Sequence, residues 1–218
     1  MVMKYSRLIP KEAEISKKFI EEYPNCLEST KVLNRYMRDW GKEISNELFS
    51  KMNIDIKESD YGKEISHYLS LPKKPEIGEK FVDFSLKNIE GKEIKLSDIN
   101  AKYTLIEFWS SWCGPCRKSN PELVKEYKKY KAQGFEIIGV SLDKNKESWI
   151  EAIKKDSLTW PNIIDLKGFE GDISLIYEVN GIPDNFLMDQ NGIIIERRLR
   201  GDKLKNKLKE IFEKKASL

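Results

Sequence analysis

Hydrophobic residues in the first third of the chain recur at helical steps. Leu33, Tyr36, Met37, Trp40, Ile44, Leu48 and Met52 are spaced three and four apart, which predicts one long amphipathic helix. Ile15, Phe19 and Tyr23 form a shorter pattern of the same kind before it, and Pro24 and Asn25 punctuate the gap. A third short helix is read over about 58–70. No strand-like alternation occurs in residues 1–72. Helices of this size can bury their apolar faces on each other or on a neighbour, and the second arrangement is expected. Two prolines and a glycine in Leu71-Pro-Lys-Lys-Pro-Glu-Ile-Gly78 then break the pattern. The domain reading is a helical segment over 1–72, a linker over 73–80 and a second domain over 81–218.

In that second domain, short apolar runs alternate with helical patterns. Phe81–Leu86 and Glu93–Leu96 flank Asn88-Ile89-Glu90-Gly91 and predict a β-hairpin. Tyr103–Trp109 is a continuous apolar run broken only by Glu107, which suits a buried central strand. A helix is predicted from about 114 to 132, a buried strand at Phe135–Leu142, and helices at Lys146–Lys155 and Asp172–Val179. Phe186–Met188 and Ile193–Arg197 flank Asn191-Gly192, a strong hairpin signal. Lys203–Lys214 reads as a closing amphipathic helix. This order predicts an α/β fold with a mixed central sheet flanked by helices and an N-terminal β-hairpin, preceded by the all-helical segment.

Composition narrows the function. The 218 residues carry 39 basic and 36 acidic side chains, a net charge of +3. Residues 1–72 are balanced at 12 of each, so the surplus lies in the remainder. So small a surplus gives no footprint for nucleic acid. A single histidine, His67, and three cysteines leave no ordinary Cys/His zinc site, and no metal is expected. No run of 18 apolar residues marks a membrane-spanning helix, and no apolar stretch after Met1 reads as a signal peptide.

The segment that carries chemistry is Glu107-Phe-Trp-Ser-Ser-Trp-Cys-Gly-Pro-Cys-Arg117. Cys113 and Cys116 stand three apart, just after a predicted strand and at a predicted helix start. Pro115 suits the first helical turn, where its missing N–H costs nothing. Cys116 then shares a face with Cys113, and the sulfurs can bond. Free N–H groups and the positive end of the helix dipole stabilise a thiolate at Cys113. Such settings bring cysteine pKa values to roughly 3.5–7.5. Cys113 is therefore the expected nucleophile, and Cys116, deeper and less ionised, the resolving thiol. Zinc would need a second ligand pair, c-type haem would need a histidine where Arg117 sits, and a three-residue spacing makes a poor structural staple. Glu107 is the second candidate. Burial should raise its pKa, so that, directly or through water, it takes the Cys116 proton during resolution. Trp112 is expected on the substrate-facing surface. Trp109, Trp149 and Trp160 are expected in the core, with Cys26 as a small buried residue.

This motif resembles the active site of the thioredoxin superfamily. The nearer resemblance is to the TlpA/ResA group of bacterial thiol–disulfide oxidoreductases, which share a redoxin (AhpC-TSA-like) domain. It is carried also by Pro121, Phe81-Val-Asp-Phe, Gly134–Asp143, Trp160-Pro161 and Gly181-Ile-Pro-Asp-Asn-Phe-Leu-Met-Asp-Gln-Asn-Gly192, and covers about 77–215. The resemblance implies a disulfide reductase of protein substrates, a redox-active Cys113–Cys116 disulfide with no dissolved cofactor, and an upstream membrane or soluble thiol reductant. It implies an exported or envelope-tethered, periplasmic setting. It also implies a cis Ile182–Pro183 peptide beside the cysteines. With Trp112, Gly114 and Pro115, Ile182 and Pro183 form the expected substrate surface. Two departures stand out. Asp184-Asn185 replaces small hydroxyl residues, placing a carboxylate where it could repel acidic substrates or raise the Cys113 pKa. Thioredoxin pairs its buried acid with a lysine on the next strand, but that position falls near Gly139, so Glu107 is expected to lack a cationic partner. Two other classes remain: a peroxiredoxin-like peroxidase, whose motif needs proline where Ile106 stands, and a non-catalytic partner-binding module acting through residues 1–72.

Overall fold

The structure, a computed structural model, describes residues 10–213. The described residues form two compact units, one of 10–73 with 175–180 and one of 74–174 with 181–213. The expected boundary fell within 73–80. The assignment of 175–180 to the helical unit has no counterpart in the sequence pattern.

The helical unit contains α1 (Pro10–Glu22), α2 (Leu27–Ser50), α3 (Ile54–Lys57) and α4 (Asp60–Ser70). The short α3 was not predicted. Leu33, Met37, Leu48, Phe49, Ile65 and Tyr68 build a core among these helices, and Leu175 joins it. The helices thus pack on one another, correcting the expectation that they would cover a neighbour. Two details of the periodicity also change. The long helix is broken at Gly41, whose φ of +75° and ψ of 172° lie where only glycine is comfortable. Among the described side chains of α1 the buried one is Ile20, while Ile15, and Tyr23 just past the helix end, face solvent. Cys26 is half-buried at the start of α2, its Sγ 3.3 Å from Ser29 Oγ, rather than buried in the core.

The second unit is a seven-stranded mixed sheet flanked by helices. Its strands are β1 (Ser85–Asn88), β2 (Glu93–Lys95), β3 (Tyr103–Trp109), β4 (Phe135–Ser141), β5 (Asn162–Ile164), β6 (Asp184–Asp189) and β7 (Ile194–Arg197). The order across the sheet is β2-β1-β5-β4-β3-β6-β7. β3 and β4 run parallel at the centre, and β6 pairs antiparallel with β3 on its other side. β5 was missed; at three residues it is too short to show a period. The first expected strand is also shorter, beginning at Ser85 rather than Phe81. Within the stretch read as linker, Gly78 and Glu79 exchange backbone hydrogen bonds with Ile194.

Helices α5 (Gly114–Tyr130), α6 (Lys146–Asp156), α7 (Asp172–Ile176) and α8 (Asp202–Glu213) complete the chain. Here α7 ends before the expected Val179. Pro121 lies inside α5 without ending it. The main core joins Trp109, Tyr127, Trp149 and Trp160 with both Cys113 and Cys116. This arrangement sets the end of a buried strand against the start of a helix, and the dithiol motif occupies that junction.

Candidate active site

The chain leaves β3 at Trp109, turns through Ser110 and Ser111, and enters α5 at Gly114. Cys113 caps the helix, and its Sγ accepts the backbone N–H of Cys116 at 3.2 Å. A sulfur in that position receives a donor the helix otherwise leaves unpaired. Cys113 and Cys116 form a disulfide with Cα atoms 5.2 Å apart. In this oxidised form both cysteines are buried, at 2% and 1% exposure, so the expected contrast in depth is absent. Gly114 and Pro115 form the exposed tip of the turn. Trp112 is 52% exposed, with its ring 6.4 Å from that of Phe169. Ile182–Pro183 is cis, and Ile182 packs on the core cluster that contains both cysteines.

A polar frame fixes this turn. Asp143, just beyond β4, accepts the Ser111 backbone N–H at 2.8 Å and its hydroxyl at 2.6 Å. Arg117 donates to the Ser111 carbonyl at 3.1 Å and grips Asp156 at the end of α6 with both arms of its guanidinium. Asn120 donates to the same carboxylate at 2.7 Å. Arg117 is thus a fastening between α5, α6 and the turn. Asp143, Asp156 and Asn120 were not singled out from sequence, because their roles depend on contacts 32 to 39 residues away.

Glu107 lies in register between Gly139 on β4 and Asn185 on β6. It is 4% exposed. Oε2 accepts from Asn185 Nδ2 at 2.8 Å, and Oε1 lies 3.1 Å from Arg200 Nη1. The acid therefore has a cationic partner, correcting the expectation from Gly139. The cation comes from the turn between β7 and α8, 93 residues along the chain, instead of from the next strand. Burial pushes the Glu107 pKa up, opposed by the charge and hydrogen bond of Arg200 and by Asn185. Asn185 also bonds both backbone groups of Leu199 and so anchors the Arg200 turn.

The carboxylate of Asp184 is buried and lies 2.8 Å from Arg197 Nη2, with Arg198 at 3.8 Å, so two arginines balance its charge. At Gly139 a side chain is excluded. An added Cβ would stand 2.6 Å from Asn162 Oδ1 and 3.0 Å from Trp160 Nε1.

A seven-stranded mixed sheet with a helix-capping Cys-Gly-Pro-Cys disulfide and a cis-proline loop defines a thioredoxin-superfamily thiol–disulfide oxidoreductase of the TlpA/ResA type. A family profile described as the AhpC/TSA family matches residues 77–197, and the chain belongs to that family. ResA, a thiol-disulfide oxidoreductase of Bacillus cereus, is 36% identical over 147 residues, covering 67% of this chain and 83% of that protein. The crystal structure of the thioredoxin domain of a thiol-disulfide oxidoreductase from Bacteroides vulgatus superposes with a TM-score of 0.59 at 34% identity, over 63% of this chain and 98% of that one. A thiol-disulfide oxidoreductase from Bacteroides fragilis gives 0.57 at 36% identity, over 61% and 99%.

Proposed function

We propose that this oxidoreductase works as a reductant of protein disulfides, with Cys113 attacking and Cys116 resolving. The observation that carries the assignment is the Cys116 N–H donated to Cys113 Sγ at the helix start. This contact, made in the oxidised form, supports Cys113 as the attacking sulfur, because the same N–H would favour its thiolate once the pair is reduced. In the reduced protein, Cys113 thiolate attacks a substrate disulfide. One substrate thiolate leaves and a mixed disulfide forms. Glu107 accepts the Cys116 proton, and Cys116 thiolate attacks Cys113 Sγ. The second substrate thiolate leaves and the Cys113–Cys116 disulfide closes. Two electrons pass to the substrate, and an upstream thiol reductant, membrane-bound or soluble, restores the dithiol. The redox group is the cysteine pair itself, with no dissolved cofactor. Trp112, Gly114, Pro115, Ile182 and Pro183 form the seat for the substrate chain, and the setting is the periplasm or cell envelope.

The test is trapping by serine variants with a disulfide-bonded protein substrate. Cys116→Ser is expected to accumulate a covalent mixed disulfide on Cys113, visible by mass, while Cys113→Ser accumulates none. Adducts on Cys116 alone would reverse the two roles. The equilibrium potential of the pair in defined thiol buffers checks the direction. A value well above that of the cellular thiol pool would make the protein a disulfide donor instead.

A further inference from the structure

One helical turn beyond Cys116, α5 and the turn between β7 and α8 enclose a cavity of about 30 Å³. That is room for about two water molecules. Glu107 reaches it from β3, Ser119, Glu122 and Glu126 from α5, and Arg200 from the turn. Ser119 ties this wall to the redox pair, because its hydroxyl donates to the Cys116 carbonyl at 2.9 Å.

Glu126 is the unexplained member. It is 4% exposed, yet its Oε2 finds no hydrogen-bond partner among the described residues. Arg200 Nη2, on the guanidinium that holds Glu107, is likewise unpartnered. A buried carboxylate oxygen without a donor bears its desolvation uncompensated. Water admitted to the adjoining cavity would supply that donor and would bond Arg200 as well. Glu122 stands four residues before Glu126, one turn along the same face, and is exposed. Glu107, Glu126 and Glu122 thus line one cavity, the first two buried and the third exposed.

We propose that Glu126 relays protons between Glu107 and solvent through water held in this cavity. The proposal rests on the reading that Glu107 accepts the Cys116 proton. That proton must leave before the next turnover, and Glu107, buried at 4% exposure, meets this cavity. The transfers balance. Cys116 thiol and Glu107 carboxylate become thiolate and carboxylic acid. Glu107 acid and Glu126 carboxylate then exchange roles through water, and Glu126 releases the proton to solvent. The departing substrate thiolate takes up a proton from solvent. The charged groups around Glu107 are Arg200 from the turn, Asp184 from β6, and Glu122 and Glu126 from α5.

The experiment uses the full-length reduced protein labelled with ¹³C at the glutamate side-chain carboxyls. Proton exchange at Glu107 is read from its carboxyl line shape, and mixed-disulfide resolution by stopped flow. The near-isosteric Glu126→Gln is expected to slow exchange at Glu107 by about tenfold, with the first Cys113 attack unchanged. Glu126→Asp, which keeps an acid, is expected to restore much of the rate. Unaltered exchange at Glu107 in a folded Glu126→Gln protein would overturn the relay. So would equal slowing in Gln and Asp variants, which would mark a packing role. Glu107→Gln separates the two readings. Wild-type resolution in that variant removes the catalytic role of Glu107, while the line shape in Glu126→Gln judges the relay by itself.

Discussion

At Glu107 three influences compete: burial, a guanidinium and an amide donor. Burial wins, so the carboxyl pKa lies above its ordinary 4.5 in the folded protein. The consequence for stability has a definite sign. The folded state keeps the proton at pH values where the unfolded chain has lost it. The contribution of Glu107 is therefore fully present below about pH 4.5 and is lost as pH rises through the folded value. Thermal midpoints of wild type and Glu107→Gln, measured from pH 4.5 to 9, should show the gap moving in favour of glutamine as pH rises and then levelling. A gap that stays constant, or moves toward glutamate, would contradict the raised pKa. Much of this residue was legible. A lone acid in Thr-Leu-Ile-Glu-Phe-Trp announces a buried charge with a role. Its counter-ion was not legible, because nothing local distinguishes Arg200 from Arg197 or Arg198. Only the fold decides which arginine turns toward β3 and which two meet Asp184.

Among the elements, length governed what could be read. β3 and β4 are seven residues each, six of them buried, and their apolar runs foretold them closely. β5 has three, and Trp160-Pro161 before it reads as a turn. Periodicity reported that α1 and α2 are amphipathic but misplaced the inner stripe of α1. Its weak pattern fits two faces, and packing chose the one with Ile20. The break in α2 was hidden because apolar spacing continues across Gly41 as though the helix were whole. That glycine gives the sharpest expectation at this scale. Nothing stands within 4 Å of a Cβ added there, so space does not forbid a side chain, but the backbone conformation does. Gly41→Ala should improve helix propensity and still destabilise the helical unit, by about 1–3 kcal/mol, because alanine is forced into a region reserved for glycine. Urea unfolding followed by circular dichroism checks it. A more stable variant would mean that the two halves of α2 can straighten at no cost.

For the whole molecule, the important connection lies in residues 175–180. They are part of the helical unit, and the chain passes from them directly through Gly181 to Ile182 and Pro183. Leu175 sits in the same core as Leu33. Leu33→Ala should cost the helical unit about 2–5 kcal/mol. Through that covalent continuity it should also raise KM for a protein disulfide while leaving the potential of the Cys113–Cys116 pair unchanged. Destabilisation with an unaltered KM would show that the loop before Pro183 holds its shape without the helices. The alternation of strands and helices and the Cys-Gly-Pro-Cys motif made the fold and the redox pair readable in advance. The grouping of residues 175–180 with helices about a hundred positions earlier, with Leu175 in their core, was not, since it rests on tertiary contact and leaves no local period. The same grouping limits modularity. A fragment cut at the prolines of the linker would carry Leu175, Tyr177 and Val179, each buried in the intact protein, away from the helices they are grouped with. Transplanting the redox domain into another protein would therefore call for polar replacements at these positions, or for the helices to travel with it.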